Sequence, residues 1–335
     1  MPFTPSAALT TLAYIPSPTV SYFKIGPFTI RFYALTMMCS IWFAVWILTH
    51  RWRKLGGTFE QVTDIAVAAV PLGLIGARIY NCLTVPFDYF GPTGSLINIL
   101  KIWRGGMAIF GALLGGFLGA AIMCHHRKIP VLLLGDAAAP GLLIAQSFGR
   151  LGNWINQELY GLPTTWPWGL KLNSANAIGK YETCYENSPC PDPQTTLFQP
   201  TFLYSIIWCL LGAALIVHFG SKYANRLKGG QIFAAYLIWY GVGRAAIEQI
   251  RINSSAYFLG VRINTWIAGV TALVGIVLYS ELQRSGLSRA SLQRKLALVT
   301  QRDRQQCLKE KKNDEERRVR RQVKKQEKKQ GRAGR

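Results

Sequence analysis

Charged residues are scarce in this sequence, and they are unevenly distributed. Of its 335 residues, 16% are charged, 50% are hydrophobic and 12% are aromatic. A soluble domain of average composition carries about 25% charged residues. The deficit lies in long apolar stretches, so the composition predicts an integral membrane protein and argues against a soluble domain.

Acidic residues are few, and the excess of basic residues is concentrated at the C-terminus. Residues 281–335 hold 19 Lys or Arg and 7 Asp or Glu, which supplies +12 of the total net charge of +22. The region after Tyr279 has no aromatic residue and so offers nucleic-acid bases no stacking surface. We predict that no nucleic acid is bound, and that residues 281–335 form a basic cytoplasmic tail, helical or disordered, attracted to an anionic membrane surface.

Seven stretches are long and apolar enough to cross a bilayer, which takes roughly 20 residues each. They are residues 30–49, 65–83, 105–124, 131–148, 201–219, 231–249 and 261–279. We predict an all-α polytopic membrane protein with seven transmembrane helices in residues 30–280. Residues 1–29 are expected to form an extracytoplasmic or interfacial segment.

Basic residues between the predicted spans indicate the orientation of the chain. They follow the first, third, fifth and seventh spans, for example at Arg51, Arg127 and Lys222. Loops rich in Lys and Arg stay in the cytoplasm, so the N-terminus is expected outside and the C-terminus inside. Residues 162–199 then form a small extracytoplasmic head insert. Its Cys184 and Cys190 are spaced for a short disulfide, with two unpaired thiols as the alternative.

Several arginines lie inside the predicted spans or at their ends. Arg78 and Arg244 each lie about 21 Å from the cytoplasmic side, at 1.5 Å per residue. Glu248 follows Arg244 by one turn, and Arg150 lies at the outer end of the fourth span. Charges in spans usually face the bundle interior, and guanidinium suits phosphate. We expect these arginines to converge on an anion; the alternative is that they extend to the headgroups, which suits Arg31 best.

An amide-rich segment follows the fourth span. It reads Gly149-Arg150-Leu151-Gly152-Asn153-Trp154-Ile155-Asn156-Gln157-Glu158-Leu159-Tyr160-Gly161. Asn and Gly favour turns over a continuing helix, so we expect the helix to end near Phe148. A charged segment at the end of a membrane helix must meet water or hold an anion, which makes it the first candidate for chemistry.

At these residues the chain resembles the bacterial prolipoprotein diacylglyceryl transferases. The resemblance covers roughly residues 12–280 and extends beyond the segment from Gly149 to Gly161. Further matching motifs are Ile15-Pro16-Ser17-Pro18, Ile30-Arg31-Phe32-Tyr33-Ala34-Leu35, Gly76-Ala77-Arg78, Trp103-Arg104-Gly105-Gly106, Pro167-Trp168-Gly169, Gln199-Pro200-Thr201-Phe202-Leu203-Tyr204 and Tyr240-Gly241-Val242-Gly243-Arg244.

The resemblance implies an activity in the bacterial plasma membrane. Such enzymes transfer the diacylglyceryl group of phosphatidylglycerol to the lipobox cysteine of a prolipoprotein signal peptide. The products are a thioether and glycerol phosphate, and no metal or cofactor is expected. A lipid or anion transporter is the alternative that also uses intramembrane arginines, but it predicts repeated halves, and we find no internal repeat.

The resemblance also implies roles for individual residues. Arg150 would bind the phosphate, with Asn153 and Glu158 ordering it. Arg244 would stabilise the leaving group, held by Glu248. The expected catalytic residues are Arg150, Arg244, Glu158 and Tyr33, and the expected substrate-binding residues are Arg150, Asn153, Arg78, Asn156, Gly161 and Glu248.

Two positions depart from the family pattern. Phe110 stands where many members have a histidine that is a candidate base for the thiol, and Ser205 replaces an acid. Phenylalanine accepts no proton, so Glu158 is the expected substitute base. The alternative is a thiol whose pKa is lowered beside the arginines.

Overall fold

The computed structural model describes residues 14–26, 28–90, 95–101, 108–173, 196–252 and 257–333, which are mostly helical. Each of the seven predicted spans falls on one long helix. The helices are α1 (Phe32–Lys54), α2 (Phe59–Thr84), α3 (Phe87–Phe90), α4 (Ile109–Arg127), α5 (Val131–Ile155), α6 (Thr201–Lys222), α7 (Gln231–Gln249), α8 (Ile263–Ser285) and α9 (Arg289–Ala333).

Five helices, namely α1, α2, α5, α6 and α8, are long and apolar enough to cross a membrane. This confirms the prediction of a polytopic membrane protein. The other two predicted spans fall on α4 and α7, which have 19 residues each. The full count of seven spans stays a prediction.

Short strands add to the helices in the described residues, which the all-α prediction did not include. They are β1 (Tyr14–Pro16), β2 (Tyr22–Ile25), β3 (Phe28–Arg31), β4 (Pro163–Thr164), β5 (Gly169–Lys171), β6 (Leu197–Phe198), β7 (Tyr257–Phe258) and β8 (Val261–Arg262). β1 pairs in parallel with β5, in a sheet of order β1-β5-β6-β4. The N-terminal segment and the described ends of the predicted head insert therefore share one sheet. Cys184 and Cys190 lie outside the described residues.

The chain forms two compact units. The first unit comprises Met1–Arg51 and Leu132–Arg289, and the second comprises Trp52–Val131 and Ala290–Arg335. In the first unit α5 packs on α1, where the rings of Phe43 and Phe148 stack at 4.5 Å. Its opposite side joins α6 and α7 in an apolar core made of Ala139, Leu143, Cys209, Ala213, Ile232 and Tyr236.

A reciprocal pair of indoles joins α6 to α7. The Nε1 of Trp208 donates to the backbone oxygen of Trp239, and the Nε1 of Trp239 donates to that of Trp208, both at 3.0 Å. The two rings stack with centroids 4.4 Å apart. Gly212 and Gly243 make room for this pair, because a Cβ at either position would overlap the facing indole.

The first turn of α7 is held by a carboxylate from α5. Asp136 is fully buried and accepts hydrogen bonds from the backbone N–H groups of Gly230 at 2.9 Å and Phe233 at 3.0 Å. The Nε of Arg289 lies 3.9 Å from the same carboxylate. A neighbouring helix thereby satisfies N–H groups that the start of α7 leaves without helical partners.

In the second unit, α2 and α4 pack with their backbones close together. A Cβ on Gly76 of α2, or on Gly111 or Gly115 of α4, would run into the backbone of the facing helix. Such close approach requires small residues at the helix contact.

Apart from Arg289, the start of α9 also belongs to the second unit. Its Leu292 and Leu296 are buried. The amide of Gln61, on α2, accepts from the Nε1 of Trp52 at 3.0 Å and donates to Thr300 at 3.3 Å and to Asp303 at 3.1 Å. Residues 289–303 are therefore docked by apolar burial and by a polar network.

Candidate functional site

The amide-rich segment begins as helix. α5 continues to Ile155, so Arg150 and Asn153 lie in its last two turns, and the expectation that the helix ends near Phe148 is wrong. Tertiary packing overrides the turn preference of Gly and Asn here. A Cβ on Gly152 would meet the side chains of Tyr33 and Thr36, so a glycine is needed where α5 crosses the start of α1.

Polar side chains connect Arg150 to Glu158. The Nη1 of Arg150 donates to Asn153 Oδ1 at 3.2 Å, and Asn153 Nδ2 donates to Glu158 Oε1 at 2.9 Å. Asn156 Nδ2 reaches the same oxygen at 3.5 Å. The ring of Tyr33 packs against Gly152, one residue before Asn153. Arg150, Asn153, Glu158 and Asn156 form one connected group, and Asn153 orients the guanidinium through its amide.

A strained turn follows α5. Gln157 and Leu159 have positive φ values of 54° and 61°, in the left-handed region that such residues rarely adopt. The buried amide of Gln157 donates to Pro18 O at 3.1 Å and accepts from Asn173 N at 2.7 Å. The turn is therefore held from outside by the segments that carry the sheet, which lets it place Glu158 beside Asn153.

Glu248, at the end of α7, is the centre of a second charged group. Its carboxylate is fully buried and lies 3.0 Å from Arg244 Nη1, 3.1 Å from Arg251 Nη1 and 3.5 Å from Arg262 Nη1. Asn264 Nδ2 donates to Oε1 at 3.0 Å. One negative charge thus meets three positive charges, which leaves an excess of two.

Arg251 lies just beyond α7 and is almost fully buried. Burial, followed by repulsion from Arg244, lowers the pKa of Arg251 to about 10, so the side chain stays protonated at neutral pH. Gly161 pairs with Arg251 as an isolated bridge, and Gly161 N donates to Gln199 O at 2.9 Å. A Cβ on Gly161 would meet Ile250 O and Thr201, so Gly161 allows the close approach of the two segments.

The two charged groups open onto one recess in the first unit. It is lined by Arg150, Asn153, Leu159, Thr201, Phe202, Ser205, Arg244, Ile247 and Arg251. In the described part of the chain this lining holds three guanidinium groups, no carboxylate and several apolar side chains. Such a lining suits an anionic group joined to an apolar one.

The family model for prolipoprotein diacylglyceryl transferase matches residues 20–280. The chain belongs to this family. It is 56% identical over 289 residues to the phosphatidylglycerol–prolipoprotein diacylglyceryl transferase of Bifidobacterium longum, covering 86% of this chain and 92% of that one. It is 41% identical over 281 residues to the enzyme of the same name from Paenarthrobacter aurescens, covering 84% and 87%. The family resemblance is confirmed, and the transporter alternative is not favoured.

In this transferase chain the structure brings together most of the predicted site residues. Arg150, Asn153 and Arg244 line the same recess. Glu158 and Asn156 connect to Arg150 through Asn153, and Tyr33 packs against Gly152. Glu248 contacts Arg244 and Arg251, and Gly161 pairs with Arg251. The roles of these residues stay predictions.

Arg78 lies in the second unit of the transferase. It is buried, its Nε donates to Ile99 O at 2.8 Å, and its Nη2 donates to Asn98 O. The guanidinium also lies 5.2 Å from the centroid of the Tyr89 ring. These contacts suffice to hold Arg78 in place, and its role with substrate stays a prediction. Arg31 is exposed on β3 and does not line the recess.

Sequence reasoning missed Arg251 and Arg262. Arg251 could have been found, because it follows Glu248 at a spacing that permits an i,i+3 pair, although it lies two residues beyond the predicted span 231–249. Arg262 gave no such signal. It lies 14 positions after Glu248, and only the hairpin brings the two residues together. The side chain of Phe110, where the family histidine is replaced, lies outside the described residues.

Proposed function

We propose that this chain transfers the diacylglyceryl group of phosphatidylglycerol to the thiol of a lipobox cysteine. The relatives named above carry that activity in their names. The observation that supports the proposal most is the recess in which Arg150, Arg244 and Arg251 meet beside apolar side chains. A phospholipid matches such a recess, because it carries a phosphate group that is joined to acyl chains.

The reaction needs charge stabilisation at the departing phosphate. The cysteine sulfur attacks the glyceryl carbon that bears the phosphate ester, forming the C–S bond. The C–O bond to phosphate breaks, and its electron pair stays on the oxygen of the released glycerol phosphate. Guanidinium groups fixed before the reaction, in a site of low dielectric constant, stabilise that charge better than water does. Arg150 and Arg244 are assigned this role, with Arg251 beside them.

The acidic residues have different tasks. Glu248 holds Arg244 at 3.0 Å and is fully buried, so we assign it the positioning of a cation that meets the substrate. Glu158 accepts hydrogen bonds from two side-chain amides close to Arg150. We assign it the role of accepting the proton from the cysteine thiol. Tyr33, Asn153 and Asn156 order this side of the site as hydrogen-bonding groups.

The finer architecture is part of the same proposal. Seven spans, an N-terminus outside the cell and a cytoplasmic C-terminus follow from the basic loops. Residues 162–199 serve as an extracytoplasmic head, with a disulfide between Cys184 and Cys190. Mass measurement of alkylated, non-reduced protein tests the disulfide, since two alkylated thiols there would exclude it.

The basic tail is proposed to lie on anionic lipid. Residues 304–335 hold 14 Lys or Arg and 5 Asp or Glu, and each basic residue near an anionic surface contributes about 1 kcal/mol. Trypsin should cut the tail more slowly in nanodiscs with phosphatidylglycerol than in nanodiscs of phosphatidylcholine. High salt should abolish the difference; equal rates at low salt would exclude this partner.

The activity itself is tested with purified protein. Membranes containing phosphatidylglycerol are mixed with a lipobox peptide, and both glycerol phosphate and the thioether product are measured. Phosphatidylcholine membranes should give neither product. Arg150→Ala should lower turnover by about 10²–10³, the usual effect of removing one donor to a developing oxyanion. Undiminished turnover would remove Arg150 from the site.

A further inference from the structure

The hairpin of β7 and β8 presents apolar side chains at its tip. The exposed fractions are 63% for Tyr257, 59% for Phe258 and 77% for Leu259. The tip of a hairpin in water usually carries Asn, Asp or Gly, whose polar groups or conformational freedom suit the turn. This tip instead offers two aromatic rings and a leucine.

The turn itself makes the leucine unusual. Leu259 and Gly260 have φ values of 50° and 73°, so both central residues are left-handed, as a two-residue turn of type I′ requires. Glycine adopts this conformation freely, whereas the Cβ of a leucine crowds the following carbonyl. An apolar side chain is therefore retained at the most exposed point of the hairpin despite a conformational cost.

The hairpin lies beside the start of a membrane-spanning helix. The Nε1 of Trp266, in the first turn of α8, donates to Phe258 O at 3.0 Å, and the two rings meet edge to face at 6.2 Å. α8 is long and apolar enough to cross a membrane. Its exposed Ile263 and Ile267 extend the apolar surface of the tip along the side of the helix.

The other side of the hairpin faces the charged site. Arg262, on the returning strand, has its Nη1 at 3.5 Å from the Oε1 of Glu248 and at 3.2 Å from the backbone oxygen of Glu248. The same six-residue hairpin thus has an apolar tip at one side and a guanidinium bound to the buried carboxylate at the other.

We propose that the hairpin Tyr257–Arg262 inserts its tip into the lipid at the boundary of headgroups and acyl chains, on the side of the membrane where α8 begins. Tyr and Trp are enriched at this boundary because their rings are apolar with one polar atom. The exposed apolar side chains of α8 next to the tip support a lipid bilayer as the partner. Insertion fixes Arg262, and with it Glu248, at the depth of the lipid phosphates.

Spin labelling in nanodiscs of phosphatidylcholine tests the insertion without depending on the transfer activity. A nitroxide is attached to Leu259→Cys, and identically treated unsubstituted protein supplies the background from the native cysteines. The reference is a label at Gln301→Cys on the exposed surface of α9. The label at 259 should be about tenfold less accessible to a water-soluble nickel chelate than the reference, and more accessible to oxygen, because the bilayer excludes the polar reagent.

Equal accessibility to the nickel chelate at the two positions would overturn the insertion and leave the proposed transferase function untouched. Tyr257→Cys gives the same readout on the neighbouring strand should the first variant not fold. A protected label at 259, combined with no transfer activity in the unsubstituted protein, would overturn the proposed function and support the insertion.

Discussion

Glu248 combines with three guanidinium groups, and the balance of charge decides what the recess can hold. Arg244 and Arg251 share its Oε2, at 3.0 Å and 3.1 Å, while Arg262 approaches Oε1. The carboxylate makes it possible to keep these cations together away from water. The remaining positive charge is available to an anion, and Arg150 adds to it from α5.

Glu248→Gln should destabilise the protein by about 3–5 kcal/mol, the usual effect of removing one partner from a buried charged group. Three cations would then repel one another without a counter-charge. The midpoint of thermal or denaturant unfolding of the purified protein measures this. The matched control is Glu281→Gln, whose side chain is 59% exposed and which should change stability by less than about 0.5 kcal/mol. Equal effects would show that the carboxylate does not hold the arginines together.

Arg150→Lys should lower kcat/KM by about tenfold or more although the charge is kept. Lysine cannot contact phosphate with two parallel N–H groups, and its ammonium cannot follow the same planar geometry. Steady-state release of glycerol phosphate measures the change. Arg226→Lys, at an exposed position after α6, serves as the control and should be neutral. A fully active Arg150→Lys enzyme would mean that charge alone suffices there.

Single residues differ in how well the sequence reveals them. The pair of Arg244 and Glu248 was predicted, because a helical spacing of four places both on one face. The segment that joins Arg150 to Glu158 was predicted only in part. A turn was expected, but the continuation of α5 to Ile155, where Gly152 packs against α1, was not. The contact of Arg262 with Glu248 depends on a hairpin, and no local sequence pattern predicts that its second strand comes back to Glu248.

The contact of α6 with α7 explains how whole helices position the site. Trp208 and Trp239 exchange hydrogen bonds to backbone oxygens, and Gly243 lies against the indole of Trp208. Arg244 is the next residue along α7. The distance between the two helices therefore determines where the Arg244 side chain begins.

Gly243→Ala should destabilise the protein by about 1–3 kcal/mol, the range for overpacking a filled contact, and should lower transfer because Arg244 shifts with its helix. Unfolding midpoints and initial rates measure the two effects. Gly269→Ala on α8 is the control, because an added Cβ there meets nothing within 4 Å. Adding Trp208→Phe to Gly243→Ala should recover part of the stability; a lack of recovery would argue against the clash.

At the level of elements, apolar stretches predicted the helices well and their ends poorly. The range 231–249 agrees with α7, whereas α5 continues seven residues beyond its predicted end at 148. Two- to four-residue strands are too short to produce an alternating pattern, so pairing between distant segments, such as β1 with β5, could not be read from the sequence. The recess combines α5, α6 and α7, which no local pattern brings together.

At the level of the whole chain, the basic C-terminal region consists of two parts. Residues 289–303 bury Leu292 and Leu296 and connect to Gln61 through Thr300 and Asp303. Beyond them α9 is exposed as far as its side chains are described. The docked part belongs with the second unit, and the remainder is free to meet a partner.

A chain ending after residue 304 should keep its stability and its transfer activity, whereas a chain ending after residue 286 should lose several kcal/mol of stability. The shorter chain exposes apolar surface, at about 1.5–3 kcal/mol for each buried leucine lost, and it leaves the amide of Gln61 without these partners. Unfolding midpoints and transfer rates of both chains decide this. Equal stability of the two would show that residues 289–303 do not brace the second unit.

Asp136 and Glu248 together restrict how α7 can move. Asp136 accepts hydrogen bonds from backbone N–H groups at the beginning of α7, and Glu248, at its end, forms ion pairs with Arg251 and Arg262. If α7 moved along its own axis by one turn, the buried carboxylate of Asp136 would lose its N–H partners. Arg251 and Arg262 would lose the carboxylate of Glu248. The helix that carries Arg244 is therefore held at both ends, so a shift of α7 along its axis is an unfavourable way to open the recess.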